Sequence, residues 1–384
     1  MKKSIVAVIL GVVALALYLL SMSKCAFPGE SAHLIAVWAG LDVVEATPYP
    51  LMALFARLFG GGNLLAPVCG ALSVGLLCYF LAALARLRMY RGDADHVRIG
   101  TPKPGNTEKP MQMRTAAKES ISLMVGVVAA VVYMLTPAVR AAATHLEPRM
   151  FDFTWALVSL ALMLPFLKPN RNAKHPKVWV YPLVAGVMAG LGTVDSPLCV
   201  AFAPLYIAAI VYIARVNRRK FYFPVVMFAL VAFAAMLIGA KCFGLEIAEL
   251  FKSTAKGLNA YRTTPGWLFV ALFATLPFAA VLLASDKAYN VLPSPMQRAF
   301  YAGLTLIAVL ATATPLAPTA QMETFGILPV ASCAFVAVAA GHLASYWWIH
   351  RGNIISKVAG GFFAVVALIA CGWNLFSFDG HKGD

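Results

Sequence analysis

The residues that could do chemistry are few, and they stand in short stretches between long apolar runs. Glu30 and His33 lie one helical turn apart, just past the first run. A carboxylate there either serves a helix N-terminus or is held at a membrane surface as a base or orienting group. His33 either shares that site or is a polar residue of the interface. Asp42 and Glu45 read as solvated loop charges. Farther along, Arg140, Glu147 and Arg149 form a second set. A guanidinium stays charged and can bind two oxygens of a phosphate, which suits Arg140 at surface depth. Arg149 more simply pairs with Glu147 or Asp152. Asp195 falls in Asp195-Ser196-Pro197, a tight joint between two apolar runs, where a charge is costly without a partner. It either caps the next helix or belongs to a site. Lys241, Lys252, Lys256 and Arg262 make a basic group that is solvated, meets anionic headgroups, or recognises a phosphate.

Other chemistries find no footing. There is no P-loop, no HExxH and no GxGxxG between a strand and a helix. The 7 cysteines lie mostly inside apolar runs and form no CxxC, so they read as small core residues without a disulfide or zinc site. The net charge of +15 could suggest nucleic acid. The basic residues, however, sit in short loops beside apolar runs, where membrane topology places them.

The elements that must position these residues are membrane helices. The 384 residues are 61% hydrophobic and 12% charged, about half the charged share of a soluble domain. Lipid offers no partner to exposed backbone groups, so apolar runs of this length must be helices. The runs are continuous rather than alternating, which disfavours a barrel. The expected fold is an all-α bundle of about eleven spans. They fall near 4–22, 63–85, 119–138, 151–167, 179–194, 197–214, 221–243, 266–285, 299–316, 323–346 and 358–376. The whole chain reads as one integral membrane domain. The first span follows Lys2 and Lys3 without a clean cleavage site and is expected to be retained.

With Lys2 and Lys3 inside and the spans alternating, every inside loop is enriched in Lys and Arg. The N-terminus is then cytoplasmic, and Glu30, Arg140, Glu147 and Asp195 share the outer face. Residues 86–118 form a flexible cytoplasmic linker. Residues 23–62 form the first outer loop, too apolar for a solvated linker and too broken to span. Within it, 31–41 and 49–59 are expected as two short helices lying in the interface.

That loop carries a resemblance. Pro28-Gly29-Glu30-Ser31-Ala32, then Thr47-Pro48-Tyr49-Pro50-Leu51, then Leu64 to Leu77, resemble the first outer loop of the GT-C membrane glycosyltransferases. The nearest likeness is to the protein O-mannosyltransferase-like family. Thr136 to Trp155 resembles that family's second outer loop, and Ala189 to Pro204 a later stretch. Asp195-Ser196 stands where the family carries Asn-His, and Glu30 where many relatives carry Asp. The likeness covers residues 1–215 as a catalytic half, with outer loops 23–62 and 139–150. Residues 216–384 match only as additional transmembrane helices.

The resemblance implies sugar transfer from a polyprenyl-phosphate carrier to a protein or glycan acceptor on the outer face of a bacterial plasma membrane. Glu30 would be the acceptor-side carboxylate and Glu147 the second acid. Arg140, Arg149, His33, Tyr49, Asp195 and Arg262 would bind substrate. A divalent metal, Mg²⁺ or Mn²⁺, is compatible, although no ligand spacing demands it. Two other readings stay open: a non-catalytic membrane partner of the same ancestry, and a transporter or lipid flippase. The last would want charged groups inside the spans, where few occur.

Overall fold

The computed structural model describes residues 2–22, 30–42, 48–59, 63–99, 115–167, 180–216 and 222–253, with isolated positions 255, 334 and 337. Among the described residues every regular element is helical. α1 runs Lys2–Leu20, α2 Glu30–Trp38, α3 Pro50–Leu58, α4 Leu65–Ile99 and α5 Thr115–Leu135. α6 is Pro137–Thr144, and α7 is Pro148–Met163, which tightens into a 3-10 turn over Leu164–Leu167. α8 is Val180–Asp195, a 3-10 segment covers Pro197–Phe202, α9 is Ala203–Val216 and α10 is Tyr222–Cys242.

The expectation of about eleven spans is corrected. Among the described residues, 4 helical stretches are long and apolar enough to cross a membrane: Lys3–Leu20, Leu65–Ala83, Pro148–Phe166 and Tyr222–Cys242. These make the chain a multi-pass helical membrane protein by length and composition. The other three expected spans in this region fall short for local reasons. The apolar part of α5 is only Ser122–Leu135, because the helix opens on Thr-Ala-Ala-Lys-Glu-Ser. α8 has 16 residues, about 24 Å at 1.5 Å per residue, against a hydrocarbon core of about 30 Å. It stops because Pro197 disfavours helical geometry at Ser196, whose backbone is extended. The same proline opens a 3-10 segment, so α9 begins only at Ala203. The spans expected at 266–285, 299–316, 323–346 and 358–376 lie outside the described residues. The two short helices expected at 31–41 and 49–59 are present as α2 and α3.

The helices pack closely through small residues, the usual device where lipid supplies no hydrophobic drive. A Cβ on Gly75 of α4 would stand 3.1 Å from the Ala7 carbonyl of α1. One on Gly126 of α5 would stand 3.1 Å from the Ala82 Cβ of α4. Gly186 and Gly190 of α8 press in the same way on α10. Lys3 Nζ donates to the Ala82 carbonyl at 3.2 Å, and Arg86 pairs with Glu119 at 2.9 Å. α1 and α5 are thus both antiparallel to α4. Gly186 faces Val231, Gly190 faces Ala235 and Val194 faces Gly239, so α8 and α10 run parallel. Toward the opposite end from Lys3, Tyr18 near the end of α1 donates to the Met134 carbonyl of α5 at 3.1 Å. Gly70 of α4 lies against Tyr18 and Ala143. One end of the bundle therefore gathers the close of α1 and α5, the start of α4, and α6.

Candidate functional site

The site is built where α3, α7 and α8 meet. α3 begins after Tyr49, which holds a left-handed backbone (φ 48, ψ 64). Such a φ is strained for a bulky aromatic residue. It turns the chain so that Pro50, already set for a helix, can occupy the first position. The first amides of a helix need acceptors, and Tyr49 provides no side-chain cap. Asp195 supplies it from 144 residues away: its Oδ1 accepts the Leu51 amide at 2.7 Å and the Met52 amide at 3.0 Å. Asp195 therefore does cap a helix, but a remote one rather than the next in sequence. α3 then buries Leu51, Met52, Ala53 and Ala56. Phe55 meets Phe151 and Trp155 of α7, with ring centroids 5.6 and 6.4 Å away.

Asp195 is 4% exposed. Its second oxygen, Oδ2, is buried without a fixed donor, and the Asp152 side chain is among the groups that act on the Asp195 carboxyl. Burial pushes the Asp195 carboxyl up to about 7, partly offset by the Met52 and Leu51 amides and by Asp152. Cys199, in the 3-10 segment, is also buried, and burial with the two aspartates beside it holds its thiol well above the ordinary range.

Asp152 lies one turn beyond Arg149 on α7, so the two share a helix face. Glu147 occupies the extended N-cap position of α7, and its carboxylate is 3.5 Å from Arg149 Nε. Arg149 and Arg140 are 7% and 3% exposed. Burial lowers the pKa of Arg140, while the neighbouring Tyr18 acts in the opposite direction. After α6, His145 Nδ1 lies 3.0 Å from the Ala141 carbonyl and 3.1 Å from Thr144 Oγ1. Thr154 donates to the Cys69 carbonyl at 3.0 Å, pinning the first turns of α7 to the start of α4.

α7 therefore brings together Glu147, Arg149 and Asp152, and through Asp152 it reaches Asp195. His33 instead pairs with Asp42 at 3.3 Å, both side chains about half exposed. Asp42 is thus a partner of His33 as well as a solvated charge. Glu30 begins α2, but its side chain lies outside the described residues, as do Lys256 and Arg262. Lys241 and Lys252 are exposed. Asp152 was not among the residues expected in the site. Its signal in the sequence was a lone acid within an apolar span, which is costly unless it has a task.

Among the described residues no group of three or more His, Cys, Asp or Glu is arranged to hold a metal, so the compatible Mg²⁺ or Mn²⁺ has no ligand set there. No protein-family model, curated protein or solved structure matches the chain.

Proposed function

We propose that the protein is a GT-C-type membrane glycosyltransferase that moves a sugar from a polyprenyl-phosphate donor to a protein or glycan acceptor on the outer face of a bacterial plasma membrane. The observation that carries the reading is the burial of two arginines, Arg140 on α6 and Arg149 beside Glu147 at the start of α7. Away from bulk water a guanidinium attracts a phosphate oxyanion more strongly. It also stabilises the charge that develops as the leaving group departs.

In the proposed reaction the acceptor hydroxyl oxygen attacks the anomeric carbon. The carbon–oxygen bond to phosphate breaks, and the polyprenyl phosphate leaves with the electron pair. A carboxylate takes the acceptor proton. Glu30 is assigned that role, with Glu147 as the second acid and Arg140 at the phosphate. Arg149, His33, Tyr49, Asp195 and Arg262 are the proposed binding set. Asp195 serves it through the position of α3.

The test is transfer from radiolabelled polyprenyl-phosphate sugars to peptide and glycan acceptors by the purified protein. Glu30→Gln is expected to abolish transfer, and Arg140→Lys to weaken donor use. Equal transfer by Glu30→Gln would remove that residue from the mechanism. Absence of transfer from every donor would favour a non-catalytic membrane partner. That second reading draws on the internal engagement of Asp195 with α3 and of Glu147 with Arg149, which gives both acids structural employment.

A further inference from the structure

We infer that the helical segment 247–253 rests in the acyl–headgroup boundary of the bilayer, with Ile247 and Phe251 against lipid and Leu250 against the ends of α8 and α10. The inference concerns where this end of the bundle meets the membrane and does not rest on the transferase reading.

The depth of the segment is set by α10. Phe223, Val226, Leu230, Phe233 and Ile238 are exposed and recur at helical spacing, so they form one lipid-facing stripe along a span. Lys241 continues that stripe one turn past Ile238 and is also exposed. A lysine so placed lays its stem along the acyl chains while its ammonium reaches the headgroups. The last turn of α10 therefore stands at the membrane surface. The helix then ends in a tight turn. Gly244 holds φ +69, and the Leu245 amide donates to the Ala240 carbonyl at 2.8 Å. The segment that follows starts at the same depth.

That segment is held along one edge and open along the next. Its first turn closes where the Leu250 amide donates to the Glu246 carbonyl at 3.0 Å. Ile247, Leu250 and Phe251 stand at i, i+3 and i+4, on one face. Leu250 is buried in one cluster with Val194 of α8 and Met236 and Ala240 of α10. Ile247 and Phe251 are instead 40% and 49% exposed. Glu246, Glu249 and Lys252 occupy the remaining faces and are exposed. An apolar edge beside a charged face, at the depth of Lys241, is the pattern of a helix lying in the interface. Lys241, Glu246, Glu249 and Lys252 carry no net charge together, so the contact is apolar. Lipid covers the α10 stripe that leads to the segment, and the same lipid meets Ile247 and Phe251. α3 divides in the same way at the same end of α8: Leu51 and Met52 are buried, Leu54 and Leu58 exposed.

The test is photocrosslinking of the full-length protein in phosphatidylcholine nanodiscs, with benzoylphenylalanine at one position at a time. The replaced side chains are all exposed, so the replacements leave the packing intact. Leu230→benzoylphenylalanine reports the lipid-facing side of α10 and calibrates the yield of lipid adducts, read by mass spectrometry. Ile247→benzoylphenylalanine and Phe251→benzoylphenylalanine are expected to come within about threefold of that yield. Glu249→benzoylphenylalanine is expected to give about tenfold less. Equal yields at 249 and 251 would overturn the inference, as would adducts at 230 with none at 251. Crosslinked dimers from 251 in place of lipid adducts would assign the open edge to a second copy of the chain and overturn it as well.

Discussion

Gly190 of α8 and Ala235 of α10 leave no room for a methyl group between them: a Cβ on Gly190 would stand 2.8 Å from the Ala235 Cβ and 2.9 Å from the Met236 amide nitrogen. The obstruction includes backbone, so it cannot rotate away. Gly190→Val is expected to destabilise the protein by about 1–3 kcal/mol or more, the range for overpacking. Gly244 provides the control. It has φ +69 but nothing within 4 Å of its would-be Cβ, so Gly244→Ala costs only backbone strain, about 1 kcal/mol. Thermal unfolding in one detergent compares the two, and equal melting temperatures would contradict the close approach of α8 and α10.

Thr154→Val keeps the shape of the side chain and removes its hydrogen bonds to the Cys69 and Met150 carbonyls. Polar contacts between membrane helices average about 0.6 kcal/mol. A loss of that size in detergent unfolding is expected. A loss several times larger would mean that Thr154 does more than join α7 to α4.

The Asp195 carboxyl is raised from its ordinary value to about 7, which fixes the sign of a pH dependence. Between those two values the folded state binds more protons than the unfolded chain, so stability falls as pH rises. The contribution is complete below the ordinary aspartate range and is lost as pH passes through about 7. The melting temperature is expected to decline from acidic toward neutral pH, with the slope reduced in Asp195→Asn. A slope identical in parent and variant would assign the titration to other groups.

Arg86 and Glu119 form a pair 2.9 Å apart, with side chains 38% and 43% exposed. Exposed pairs contribute about 0–1 kcal/mol. Glu119→Gln should therefore change stability little, and raising the salt should erase the difference. A salt-insensitive loss would indicate that the pair is drier than its exposure implies.

The Glu147–Arg149 pair separates structure from chemistry. Arg149→Lys keeps the charge but loses the planar fork, so the fold is expected to hold. If Arg149 binds the donor phosphate, the KM for the lipid-linked sugar should rise in the transfer assay while the melting temperature stays near that of the parent. A fall in melting temperature without any change in KM would leave Arg149 as the partner of Glu147 alone.

The sequence made some elements legible and concealed others. α1 and α10 are uniformly apolar over enough length to be read directly. α2 and α3 could be placed from a carboxylate and a proline at their starts. The span count failed where the helices are shorter than their apolar runs. The joint at Asp195-Ser196-Pro197 was legible, but hydropathy does not register that α8 before it has only 16 residues and that the run after it opens as a 3-10 segment. The charges at Asp195, Arg140 and Glu147 were visible as candidates. Which amides Asp195 serves was not visible, because its partners lie 144 and 143 residues away. Asp152 was passed over as a partner for Arg149, since nothing local to α7 reveals the carboxyl opposite.

That separation also sets an order of assembly. As the chain leaves the ribosome, α3 is complete long before its cap exists, and a helix of 9 residues is marginal alone, isolated helices needing about 12–15. Through the synthesis of α4 to α8 the Leu51 and Met52 amides have only water or other transient acceptors. α3 therefore reaches its final position late, when α8 brings Asp195 to its first amides, and it records that the surrounding helices have already been assembled.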